Sequence, residues 1–185
     1  MTEDEMTAKV ASLKEQGTKL FRFGEYAEAA ELFQEAQSIY QELGDQKGQA
    51  ETLNDLGAVR TREERYDAAA EAFKKAGSVF ESLEDNNGQA RTLGNLGSMY
   101  RYQGDNDTAV EHLKRAINLF HGVGDREKEA ATLRLVSRIR LGQLRWLEAL
   151  HFYDLSLACV EPPGLKERTL RWLLQIPFNM ISRPQ

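Results

Sequence analysis

One interval constrains this chain more than any other property: a step of 40 residues, repeated without a gap. Leu13, Leu53, Leu93 and Leu133 are separated by it, and so are Ala29, Ala69, Ala109 and Ala149. Gly17, Gly57 and Gly97 follow the same step, with Ser137 in the fourth place. Ala36, Ala76 and Ala116 lead to Ser156. Bulky positions recur as Phe33, Phe73, Leu113 and Tyr153, then as Tyr40, Phe80, Phe120 and Val160. Asp45, Asp85 and Asp125 mark the junctions. A repeat of this length is one supersecondary unit that buries its apolar face only against its neighbours, so the fold must be a stacked array.

Composition decides what each unit is made of. All four prolines (Pro162, Pro163, Pro177, Pro184) lie after residue 160, and what precedes them is rich in Ala, Glu, Gln, Leu, Lys and Arg. Proline-free stretches of good helix formers predict helices. Each repeat reads as two, for example Gln46 to about Arg62 and about Tyr66 to Leu83. The junction aspartate caps the first by accepting from its unpaired amides. Gly24 and Gly104 end first helices in a left-handed turn. Glu64 and Leu144 occupy that place in repeats two and four, where Gly142 is the candidate to take over the turn. Mid-helix glycine costs about 1 kcal/mol against alanine. The column Gly17, Gly57, Gly97 therefore predicts close helix contact, with Ala29, Ala69 and Ala109 opposite.

The run Leu53, Leu56, Gly57, Tyr66, Ala69, Phe73, Ala76 resembles the tetratricopeptide repeat, as does Leu93, Leu96, Gly97, Asn106, Ala109, Leu113, Ala116. The 40-residue form, with Thr92 to Gly97 reading Thr-Leu-Gly-Asn-Leu-Gly, is similar to repeats of receptor-independent G-protein signalling modulators and large bacterial signalling proteins. The resemblance implies an all-α, right-handed α-solenoid of four helix-turn-helix repeats (about 5–44, 45–84, 85–124 and 125–164) in one domain, 1–176. Residues 165–176 read as a capping helix after Pro162-Pro163-Gly164, and 177–185 as a flexible tail.

Chemistry is hard to find. His112, His121 and His151 are scattered, no phosphate-binding glycine loop occurs, and Cys159 stands alone. We expect no enzyme, no cofactor and no metal site. The formal charge of −5 disfavours nucleic acid, and no apolar run approaches the roughly 20 residues of a membrane span. The acidic N-terminus lacks the order of a signal peptide, so a cytoplasmic setting is expected. The stripe Tyr40, Phe80, Phe120 and the column Tyr26, Tyr66, Trp146 read as structural.

The resemblance places one side of each first helix on a concave, peptide-binding face. The basic side chains there are Lys14, Arg22, Arg62, Arg91, Arg101, Arg134 and Arg138; the acids are Glu15, Glu51 and Asp55. Seven bases against three acids invert the sign of the whole chain. Asn54 and Asn95 offer donors and acceptors for a peptide backbone. The partner is thus expected to be a protein or peptide, acidic, in a groove of Lys14, Arg22, Asn54, Arg62, Arg91, Asn95, Arg101, Arg134 and Arg138. Some tetratricopeptide domains clamp acidic chaperone tails; Lys14 and Arg91 fit that pattern, whereas Thr18, Asp55 and Asn95 depart from it. Residues 1–50 carry a net charge of −5, 51–120 of −3 and 121–185 of +3, so weak self-association of a structural repeat protein through its ends is a second reading. Docking on a separate enzyme as its regulatory subunit is a third.

Overall fold

The computed structural model describes residues 1–159, 164 and 169–172. Among them are eight helices: α1 (Glu3–Phe23), α2 (Tyr26–Glu42), α3 (Gln46–Arg62), α4 (Tyr66–Ser82), α5 (Asn86–Gln103), α6 (Asn106–Gly122), α7 (Arg126–Gly142) and α8 (Trp146–Ala158). A further helical stretch covers 169–172. The chain is the expected all-α solenoid, each helix packing on the one before it and the one after. Most of the proposed capping helix and all of the tail lie outside the described residues.

The junction aspartates do what a carboxylate at a helix start should do. Asp45 accepts from the Gly48 amide at 2.9 Å, Asp85 from Gly88 at 2.8 Å and Asp125 from Lys128 at 3.1 Å. Gly24 and Gly104 take left-handed backbone, with φ of 86° and 93°. In repeats two and four the non-glycine residues themselves adopt it: Glu64 and Leu144 both sit at φ 60°. Gly142 does not take over the turn, because it is the last residue of α7.

The glycine column is a site of close approach, and what comes nearest to it is the bulky column of Phe33, Phe73 and Leu113. A methyl group on Gly57 would stand 2.6 Å from the Phe73 ring, on Gly17 2.9 Å from Phe33, and on Gly97 2.6 Å from Leu113. At Gly97 the alanine column also presses in, through the Ala109 carbonyl at 3.0 Å. The bulky residue then reaches onward: Phe33 packs with Leu56 and Val59, Phe73 with Leu96 and Met99, Leu113 with Val136 and Ile139. In each of repeats one to three one bulky side chain thus joins its own hairpin to the next, which gives the array a continuous core.

A second glycine column performs the same service at the junctions. Gly48 lies against the Tyr40 ring and Gly88 against Phe80, so closely that neither site has room for a Cβ. In repeat four Lys128 stands there instead, its ammonium 5.8 Å from the centre of the Phe120 ring. The 40-residue spacing of Gly48 and Gly88 was the available signal.

Candidate interaction groove

The first helices α1, α3, α5 and α7 carry the candidate residues, and they divide among separate hollows. A cavity of about 450 Å³ runs along α3, α5 and α7, lined among others by Asp55, Arg91, Asn95, Ser98, Leu135 and Arg138. A cavity of about 370 Å³ lies at the C-terminal ends of α1, α3 and α5, where Phe21, Arg22, Tyr26, Ala58, Arg62 and Tyr102 meet. Lys14 belongs to neither; with Glu15, Thr18 and Arg22 it borders a hollow beside α1. Arg134 is exposed and lines none of these cavities, although it stands one turn from Arg138.

Electrostatics within the groove are partly internal. Glu51 binds Lys14 at 2.7 Å and reaches Arg91 at 3.8 Å, so one acid of repeat two serves bases of repeats one and three. Loss of water raises the Asp55 carboxyl to about 6, against the opposing pull of Lys14 and Arg91 and with that of Glu51. Asn54, which lines the same cavity, is 2% exposed, and its carbonyl oxygen has no hydrogen-bond partner among the described residues. An unmet buried acceptor costs about 1–3 kcal/mol. Arg22, Arg62, Arg101, Arg134 and Arg138 form no ion pair among the described residues.

The second cavity holds an arrangement that sequence reading missed. The Arg62 guanidinium lies between two rings, 5.5 Å from the centre of Tyr26 and 5.2 Å from Tyr102. Its Nε donates to the Tyr26 hydroxyl at 2.9 Å and one terminal nitrogen to the Tyr102 hydroxyl at 2.5 Å. Arg101 approaches the same Tyr102 ring at 5.7 Å. The steps of 36 and 40 residues that separate Tyr26, Arg62 and Tyr102 place them in three consecutive repeats. Those steps were legible, but Tyr26 read as a structural position.

Outside the groove, Arg140 is 6% exposed and held by Asp107 at 2.7 Å and Glu148 at 3.2 Å, tying α6 to α7 and α8. His112 stacks on Tyr100 at 5.2 Å. His121 meets Glu129 at 3.0 Å. Cys159 is buried, as a small apolar residue would be, and burial pushes its thiol up. Among the described residues no group of three or more His, Cys, Asp or Glu is placed to hold a metal ion, and no helix is long and apolar enough to cross a membrane. Trp146, placed by its column among structural residues, is 58% exposed.

The profile of the tetratricopeptide repeat matches residues 10–82 and 88–161. The chain belongs to the tetratricopeptide repeat family. No curated protein matches it. Among solved structures it is similar to aspartyl phosphate phosphatase F from Bacillus subtilis, at 18% identity and a TM-score of 0.78 over 94% of this chain. It spans only 47% of that protein. BtubC from P. vanneervenii is similar over 95% of this chain and 66% of its own, at 18% identity and a TM-score of 0.62. The tetratricopeptide domain of Arabidopsis FLU is similar over 63% of this chain and 98% of its own, at 20% identity and a TM-score of 0.57. At such identities the likeness is one of fold. Tetratricopeptide repeats generally mediate protein–protein interaction, and the fold is typically non-catalytic.

Proposed function

We propose that this chain is a non-catalytic interaction module that holds an acidic peptide segment of a partner protein along α3, α5 and α7. The observation that carries the reading is the composition of the groove walls. Arg138 faces the cavity without a carboxylate partner among the described residues, and Arg91 shares Glu51 with Lys14 at the longer distance of 3.8 Å. Arginine suits this task, because its planar fork grips a carboxylate through two bonds and keeps its charge at any physiological pH. The small side chains Gly94 and Ser98 leave a guest chain room to approach α5. Asn54 lines the cavity with a buried carbonyl that has no partner among the described residues, an acceptor suited to a guest amide, and this supports the reading too.

A fluorescein-labelled acidic dodecapeptide, followed by anisotropy, tests this directly. Micromolar binding that weakens steeply between about 50 and 300 mM salt is expected for charge-led recognition. Arg138→Glu should weaken it about tenfold or more, while Arg134→Glu, one turn away but outside the cavity, should act only through long-range charge and cost less. Equal losses from both, or none from Arg138→Glu, would move the peptide away from this groove.

A further inference from the structure

The cavity at the ends of α1, α3 and α5 differs in kind from the groove beside it. Its walls are rings and small side chains: Phe21, Tyr26, Ala58 and Tyr102. Its rim is cationic. Arg22 and Arg62 line it, and Arg101 shares the Tyr102 ring with Arg62. None of the three has an ion pair among the described residues. The two tyrosine hydroxyls hold Arg62 in place, yet they neutralise nothing. They take two of the five N–H groups a guanidinium offers, and the others have no acceptor among the described residues. An arginine fixed between two rings is pre-organised, so an incoming anion need not order it. The volume, about 370 Å³, sits at the small end of the roughly 300–1,000 Å³ of ligand pockets. That is room for a side chain and its neighbour, not for a folded partner.

We infer that this cavity takes a large aromatic side chain of the partner segment together with a carboxylate adjoining it, the ring against Phe21 and Ala58 and the anion on Arg62 and Arg22. The inference rests on the proposed groove, which it completes. Arginines along the groove of α3, α5 and α7 supply charge, which alone lets an acidic segment slide without fixing its position. An aromatic anchor at one end sets register and direction, in the way that a few buried aromatic and arginine contacts dominate most interfaces. The carboxylate has two sources, an acidic residue next to the aromatic one or the free C-terminus of the partner.

The probes are acidic dodecapeptides that differ at one place. One carries Phe next to Glu in its interior, a second carries Ala for that Phe, a third ends in Phe with a free carboxylate, and a fourth is the amide of the third. On the wild-type protein a Phe peptide should bind about tenfold or more tighter than the Ala peptide. Whichever of the interior or free-terminal forms is tighter names the source of the carboxylate. Ala58→Phe, which fills the cavity, and Arg62→Gln, which keeps hydrogen bonding but removes the charge, should each bring the ratio close to one. Arg138→Glu should weaken all four peptides and leave the ratio standing. Circular dichroism confirms that each variant folds. Equal binding of the Phe and Ala peptides to wild type overturns the anchor while leaving the groove intact, and so does a ratio that survives both cavity variants. Failure of every peptide to bind wild type overturns the groove and the anchor together.

Discussion

Repeats two and four share one set of columns and solve the same packing problem differently. In repeat two Gly57 opens a place for the Phe73 ring, which is 1% exposed and carries the core on to α5. In repeat four Ser137 stands at that column and donates to the Ala149 carbonyl at 2.7 Å, and Tyr153, in the place of Phe73, is only half-buried. The concave column changes from Asp55 to Leu135, and the turn residue from Glu64 to Leu144. Leu144, Trp146 and Leu147 are all exposed. Repeat two is thus joined to its neighbour by a buried ring, whereas repeat four, among the described residues, has a polar bond within its own hairpin at the same column.

The sharpest way to break this comparison is at the glycine column. Gly57→Leu should destabilise by about 3 kcal/mol or more, because the added side chain enters space that the Phe73 ring fills and both sit in a close-packed core. Ser137→Ala should cost about 1 kcal/mol, the usual net value of one hydrogen bond, since it removes a donor without crowding anything. Thermal melts followed by circular dichroism measure both. A larger loss at Ser137 than at Gly57 would reverse the account of which repeat depends on ring packing.

That contrast also shows what was legible beforehand. The 40-residue period located the helices, and α3 runs from Gln46 to Arg62 as expected. It could not tell which column comes nearest to Gly57, because Ala69 and Phe73 lie one turn apart on the same side of α4 and spacing alone does not rank them. The groove was legible as a list of side chains, not as a field. Whether Glu51 turns to Lys14 or to Arg91 is decided by rotamers across a repeat boundary, which no period encodes. Trp146 was misplaced for a related reason. Its column is covered from the following repeat: Tyr26 by Arg62 of α3, and Tyr66 through the Tyr102 carbonyl of α5. The position one repeat on from Tyr102 and two from Arg62 is Gly142, and the next is Ser182, outside the described residues.

Asp55 against Leu135 gives a smaller effect, with a definite pH signature. Asp55 titrates near 6 in the fold and near 3.8 when free, so the folded state binds a proton more tightly than the unfolded one. Ionising it therefore costs stability: nothing below about pH 4, increasingly between pH 4 and 6, and the full amount above 6. Asp55→Asn should remove that loss and stabilise the protein by about 2 kcal/mol at pH 7.5, with the gain vanishing by pH 4. Urea denaturation at a series of pH values reads it. The same proton links to the groove: an acidic peptide should bind wild type more tightly at pH 5.5 than at 7.5, before its own carboxylates titrate, and Asp55→Asn should flatten that dependence. A gain for Asp55→Asn that persists at pH 4 would mean that charge is not its source.

The smallest effect lies at the turns. Leu144 and Glu64 both hold left-handed backbone at φ 60°, where an L-residue loses roughly 1–2 kcal/mol relative to its preferred regions. Glycine relieves this but returns freedom to the unfolded chain, worth about 0.4–1 kcal/mol in the other direction. Glu64→Gly should thus stabilise by about 0.5–1 kcal/mol, and a chain of this size converts that to about 1–4 °C in Tm. Leu144→Gly shares the backbone term. Its side chain is 71% exposed and loses little packing among the described residues, so the two substitutions should agree within about 0.5 kcal/mol. Differential scanning calorimetry on both, side by side, makes the comparison internal. If Glu64→Gly raises Tm and Leu144→Gly lowers it, the backbone account holds in one turn and is overridden in the other, which requires the Leu144 side chain to be covered in solution. A concentration-dependent Tm for wild type that disappears in Leu144→Gly would identify the cover as a second copy of the chain. A concentration-independent loss would assign it to the same molecule.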